Sequence, residues 1–406
     1  MDGEDRKKPQ VRSRHGSKSP AGPPLLGLPR LCCRSLHALL PPSCCGNPPG
    51  RRLQNRATLM DEARMQRGLN ILAATALAFT SVNPALASNP APAAPAPLSV
   101  LTYNVKGLPW PVARGRTDAF RQIAARLLTM RREGRQPHVI VLQEAFTDAA
   151  KRIGQDAGYR YIVYGPSKAQ LTQARMTAED QRFAEEASWL KGETEGKWAD
   201  SGLEIASDYP VLNVQRAAFP GFACAGFDCL ANKGVLLVTL KIPGEPTPFA
   251  IATAHLNSRH SSGVSDGRSL YAYRRQLDFL RSFFIARRDP AIPLVFAGDF
   301  NISELARRTA LFEQIGRWWP GTEERVPRDG LRTCLARLSH NSRAFADATF
   351  AMRRARDWQF IVPGRLAAIT AIGMTVPFGR DPTGAMLSDH VGYVIDYAAA
   401  RMKPTA

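Results

Sequence analysis

Leu294-Val-Phe-Ala-Gly-Asp-Phe-Asn301 is a four-residue apolar run that ends in a glycine, an acid and an amide. A run that short, preceded by Pro293 and closed by Gly298, reads as a buried strand. The polar residues behind it fall where a loop leaves the sheet, which is where rigid scaffolds usually carry chemistry. The same pattern recurs four more times. Asn104 follows Leu101-Thr-Tyr103, Glu144 follows Val139-Ile-Val-Leu-Gln143, His255 follows Ile251-Ala-Thr-Ala254, and Asp389-His390 precedes Val391-Gly-Tyr393. Taken singly, each has an ordinary explanation as a turn residue, a solvated acid or a satisfied core histidine. Five polar ends of five apolar runs in one chain point instead to one shared site.

Working outward, short apolar runs at Leu98–Tyr103, Val139–Leu142, Tyr161–Tyr164, Gly202–Ser207, Gly234–Lys241, Phe249–Ala254, Leu294–Ala297 and Val391–Tyr397 predict strands. Leu270, Tyr273, Leu277, Leu280 and Phe284, spaced by threes and fours, predict one helix; a second is predicted over 117–131 and a charged helical stretch over Gln170–Leu190. Strands outnumber helices. This order predicts a layered α/β sandwich, two sheets packed face to face with helices outside, within one domain over 98–400.

Composition sets further bounds. Of 406 residues, 44% are hydrophobic and 22% charged, enough apolar material to exclude a mostly disordered protein. The net charge is +19; residues 1–87 hold 13 basic and five acidic side chains, leaving 41 and 30, or +11, for 88–406. Polyanions and anionic membrane surfaces are therefore expected neighbours. Residues 1–59 show no period of 2 or 3.6 and read as disordered, an over-extended start. Residues 60–87 have the layout of a secretory signal: Arg64 and Arg67, an apolar block from Leu69 to Thr80, then Ala85-Leu86-Ala87. A 12-residue block is too short to span a bilayer. Residues 88–97 form a Pro/Ala linker, and a secreted or periplasmic chain starting near Ser88 is expected. In that oxidising compartment Cys224 and Cys229 can close a small loop, leaving Cys334 unpaired. Structural zinc is not expected in the chain from Ser88 onward, which lacks a set of about four Cys/His ligands at short spacing.

Together, Thr102-Tyr-Asn104, Gln143-Glu144, His255 within Thr253-Ala-His-Leu-Asn257, Gly298-Asp-Phe-Asn301, Asp357-Trp-Gln-Phe360 and Ser388-Asp-His390 resemble the endonuclease/exonuclease/phosphatase superfamily, which includes deoxyribonuclease I and the neutral sphingomyelinases. The resemblance covers about Leu98–Tyr397. It implies a four-layered α/β/β/α sandwich and divalent-metal phosphoester hydrolysis. It further implies Mg²⁺, with Mn²⁺ or Ca²⁺ as alternatives, held by Glu144 with Asn104 nearby and Asp389 as a looser candidate. Hard oxygen ligands suit such ions. Asp299 resembles the group that orients or deprotonates the attacking water, and Asn301 the amide that holds the phosphoryl oxygens. His390 resembles the catalytic histidine, with Asp357 as the carboxylate that sets its tautomer, and His255 the second active-site histidine.

Smaller features bear on the substrate. Asn104-Val-Lys-Gly-Leu-Pro109 and Asp228-Cys-Leu-Ala-Asn-Lys233-Gly-Val235 resemble segments of neutral sphingomyelinases, so Asp228 and Lys233 are candidate substrate or switch residues. A phospholipid at a membrane surface is the expected partner, reached through Trp318-Trp319-Pro320, Phe219-Pro-Gly-Phe222 or Leu366–Phe378. The long aromatic hairpin of some secreted sphingomyelinases is not evident. The alternative is a secreted nonspecific nuclease, supported by the basic charge but lacking a clustered Arg/Lys stripe. A binding module that kept the fold without the chemistry is the non-enzymatic reading. No obligate protein partner is evident, and a monomer is expected.

Overall fold

The computed structural model describes residues 98–108, 112–319, 327–354 and 356–401. The readings of 1–59, 60–87 and 88–97, like Pro109 and Pro320, lie outside the described residues. Among the described residues, twelve strands and eight α-helices run in the order β1 Leu98–Asn104, α1 Arg116–Arg132, β2 Val139–Gln143, α2 Asp148–Lys151, α3 Ile153–Asp156, β3 Tyr161–Tyr164, α4 Ala178–Glu185, β4 Glu204–Ser207, β5 Val211–Ala218, β6 Gly234–Leu240, β7 Phe249–His255, α5 Asp266–Arg287, β8 Leu294–Asp299, α6 Leu305–Ile315, β9 Arg328–Asp329, α7 Gly330–Leu335, α8 Arg343–Arg354, β10 Asp357–Val362, β11 Ala367–Phe378 and β12 Gly392–Arg401.

The strands form two six-stranded sheets, ordered β11-β12-β1-β2-β4-β3 and β5-β6-β7-β8-β10-β9. Each sheet has one parallel pair at its centre, β1/β2 and β7/β8, flanked by antiparallel neighbours. A parallel pair needs a crossover, and α1 and α5 supply the two. Because side chains alternate across a strand, each central strand feeds two cores. Val100, Val139, Val141, Ile251, Val295 and Ile361 meet between the sheets. Leu101, Tyr103, Ile140 and Leu142 pack outward on Phe120, Ile123 and Leu127 of α1. Ala252, Leu294 and Phe296 pack outward on Leu277, Leu280 and Phe284 of α5. The result is the α/β/β/α sandwich expected.

Three local expectations change. Within Gln170–Leu190 only Ala178–Glu185 is α-helical, opened by a capping box of Thr177 and Asp180, with a 3₁₀ turn at Trp189–Lys191. Trp318 and Trp319 do not face outward: both are buried against Phe284, as is Phe219 against Phe279. An indole of that area is held where it removes the most apolar surface from water. Leu366–Phe378 is largely β11, an edge strand bent by bulges after Ala371 and Thr375 whose inward residues join the inter-sheet core. The disulfide between Cys224 and Cys229 is present, and Cys334 is free and buried.

Candidate active site

The two parallel pairs end at the same end of the sandwich, and β10 and β12 begin there. Register then does the positioning. In the second sheet Asp299 stands opposite His255 across β7/β8 and opposite Asp357 across β8/β10, so three chemical residues sit side by side on one face. In the first sheet Asn104 stands opposite Gln143, one residue before Glu144.

The two sheets are stitched at this end by the Asn104 amide, whose Nδ2 donates to Glu144 Oε1 at 2.9 Å and to Asp299 Oδ2 at 3.0 Å. Its oxygen accepts from the Lys106 N–H at 3.0 Å, so Asn104 presents a donor to the cluster. Two neighbouring carboxylates require that donor. Glu144 and Asn301 both have left-handed backbones, φ 57° and 50°, a conformation costly for a side chain with a Cβ and common at functional sites. Asn301 is drawn in by its N–H to Asp299 Oδ1 and by its amide Nδ2 to Leu256 O, each 3.0 Å.

His390 Nδ1 lies 2.6 Å from Asp357 Oδ2, and its Nε2 lies 3.9 Å from Asp299 Oδ2. Burial would favour the neutral ring, but the Asp357 and Asp299 carboxylates outweigh it and lift the His390 pKa to about 9. Burial likewise works against ionised Asp299; the His390 imidazolium and the Asn104 hydrogen bond overcome it and hold its pKa below the usual range. His255 is the opposite case. Burial and the Lys233 ammonium, 3.5 Å from its Nε2, push it down to about 3, so its ring is neutral. Lys233 is in turn held by Asp228 Oδ1 at 3.1 Å and donates to Leu256 O at 3.2 Å, while the Ser258 N–H secures the other Asp228 oxygen.

The structure thus gathers Asn104, Glu144, His255, Asp299, Asn301, Asp357 and His390, with Asp228 and Lys233 behind His255. It does not bring Asp389 into the cluster: that carboxylate is half exposed and faces Lys106 Nζ at 3.7 Å, because its neighbour His390 takes the inward direction. Two supports escape the sequence reading. Arg116 donates to the carbonyls of Val105, Lys106 and Leu387, tying the loop after β1 to the loop before β12, and Ser388 Oγ donates to Asn104 O at 2.7 Å. An arginine at the start of a helix carries no local signal of such a role.

The Endonuclease/Exonuclease/phosphatase family matches residues 101–398, most of the chain. The chain belongs to this family. No curated protein matches it. Among solved structures it is similar to sphingomyelinase C from Streptomyces griseocarneus, at 20% identity and a TM-score of 0.47 over 75% of this chain and all of that one. It is similar to a magnesium-bound mutant of beta toxin from Staphylococcus aureus, at 15% identity and 0.47 over 74% and 99%. It is similar to D. rerio TDP2 complexed with a single-strand DNA product, at 14% identity and 0.42 over 74% and 98%.

The family's chemistry is phosphoester hydrolysis, and its members bind divalent metals. The residues here fit such an ion. Glu144, Asp299 and His255 each bring a ligand atom within 4.8 Å of the others. Burial raises the Glu144 pKa despite the Asn104 hydrogen bond, so its carboxylate sits where a cation is the missing stabiliser. Asp357 Oδ1 and His255 Nδ1 are buried without a hydrogen-bond partner.

Proposed function

We propose that this chain is a secreted, Mg²⁺-dependent phosphodiesterase that hydrolyses sphingomyelin to ceramide and phosphocholine by in-line attack of water. Glu144 would hold the metal, with Asp299 beside it. The ion, when bound, supplies Lewis-acid stabilisation of the charge that builds on the phosphoryl oxygens. The protein supplies the rest. Asp299, kept ionised, accepts a hydrogen bond from the attacking water and orients it. His390, kept as the imidazolium by Asp357, directs Nε2 at the developing charge, where a cation stabilises the transition state more than the ground state. Asn301 has one N–H left for a phosphoryl oxygen after serving Leu256 O. His255, neutral, has one ring N–H to donate to the same oxygens.

The observation that carries the lipid reading is the buried ion pair Asp228–Lys233 reaching His255, on the segment that resembles neutral sphingomyelinases. Membrane contact is supported by a different set of side chains from those first read. Trp189, Leu190, Trp198 and Phe227 are exposed, on the stretch of chain that leads up to this ion pair. Indoles favour the headgroup region, where an apolar body and a polar tip are both satisfied.

Phosphocholine release from sphingomyelin in detergent micelles, by the full chain with Mg²⁺ and with EDTA as the blank, tests this directly. Metal-dependent release supports the reading. No release from folded protein overturns it and leaves the nuclease, which the net charge of +11 over 88–406 favours. Plasmid degradation whose affinity collapses between low and moderate salt would then identify nucleic acid as the substrate.

A further inference from the structure

Apart from the catalytic cleft, an open pocket of about 490 Å³ lies between the 170–197 segment and the turn before β6. Its lining is mostly apolar, with Leu171, Met176, Phe183, Phe219 and Phe222 beside the Cys224–Cys229 disulfide, and Glu193, Lys197 and Arg268 are its charged members. Its volume lies in the range of small-molecule sites, about 300–1,000 Å³.

Charge on the lining is unequal. Glu193 is fully engaged, by Arg268 Nε at 2.7 Å and by the N–H groups of Ser188 and Gly226. Arg268 is spent on Glu193, Glu186 and Phe183 O. Lys197 is different. Its ammonium donates to Cys229 O at 2.8 Å and lies 3.9 Å from Cys224 Sγ, with no carboxylate partner among the described residues. The Asp228 carboxylate nearby is committed to Lys233 and to the Ser258 N–H. A cation drawn out of water beside apolar walls lacks the anion that would stabilise it.

We propose that this cavity binds a long-chain carboxylate, its head on Lys197 Nζ and its chain along Phe183, Phe222 and Leu171. A carboxylate matches one lysine. A phosphate head would call for several converging donors, and the wall offers one free cation. Leu171, 76% exposed, gives the chain an apolar exit to the surface. The reading concerns a site apart from the catalytic cluster and does not depend on which phosphoester is cleaved.

Titration of the full chain with oleate and with oleyl alcohol, each below its aggregation concentration, tests it by calorimetry. Oleate is expected to saturate at one per chain, at least about tenfold tighter than the alcohol, the scale of one charge-assisted contact. Lys197→Met is expected to reduce oleate to the affinity of oleyl alcohol, and Ala184→Trp, which fills the cavity, to remove both. Equal binding of the two amphiphiles by the unmodified chain overturns the assignment, as does an absence of saturable oleate binding. Because the oleate-to-alcohol ratio needs no substitution, a Lys197 variant that failed to fold would leave the test intact.

Discussion

His390 and His255 lie on either side of Asp299 and are driven to opposite protonation states. His390 has the Asp357 carboxylate at 2.6 Å, which outweighs its burial; His255 is buried with an ammonium and the Asp299 carboxylate both 3.5 Å away, and burial with the ammonium prevails. Three predictions belong at this scale. His390→Ala should lower kcat/KM by about 10²–10⁴, the usual worth of a positioned proton-transfer group, with the circular dichroism spectrum unchanged. Glu144→Gln should remove nearly all turnover and weaken metal binding, read by calorimetric Mg²⁺ titration. Near-normal turnover by either folded variant would break the assignment. Asp228→Asn acts through Lys233 and leaves the reacting groups in place. It should therefore lower kcat more than it raises KM, and stopped-time assays over a substrate series separate the two.

At the scale of elements, burial assigns opposite fates to tryptophans that composition cannot distinguish. Trp318, against Phe284 and Phe296, holds α6 on the second sheet, so Trp318→Ala should cost about 3–5 kcal/mol in denaturant melts and leave vesicle binding unchanged. Trp189→Ala should do the reverse: a shift within about 0.5 kcal/mol in stability and a measurable loss of binding to sphingomyelin-containing vesicles. Glu204, at the start of β4, lies under α3 with its carboxyl buried, and that burial pushes its pKa up to about 8. Between its ordinary value and about 8 the folded chain keeps a proton that the unfolded chain has lost. Stability from this group is therefore complete at low pH and is lost as pH rises through about 8. Melting temperatures across pH 5 to 9 should fall accordingly, and Glu204→Gln should flatten that slope.

Across the whole molecule, two sheets of the same strand pattern place their parallel centres against each other, and the site is the seam where both crossovers begin. The Asn104 amide and the Gln143 Nε2 to Thr253 Oγ1 bond, 3.3 Å, cross that seam. Separating the sheets would thus remove the site before it removed either sheet. The excess of basic side chains gives a salt-sensitive attraction to anionic surfaces, so vesicle binding should strengthen with anionic lipid and weaken as salt rises.

Short apolar runs, helical spacing and the polar residues that end the runs were enough to determine eight of the strands, both long helices and the chemistry-bearing strand ends, because run length, period and termination are properties of neighbouring residues. Family membership followed from the same short segments. The tertiary structure alone decided which side chains meet and which way they face. That the Asn104 amide bridges Glu144 and Asp299, that Asp389 meets Lys106, and that Trp318 packs on Phe284 and Phe296 while Trp189 is surface all involve residues tens to hundreds of positions away. β5, β10 and the bulged edge strand β11 were hidden for a related reason: register across a sheet, and not the composition of one segment, makes them strands. The charge states of the two histidines likewise come from burial and from residues that only the fold brings within a few ångströms, where a charge is screened less than in water.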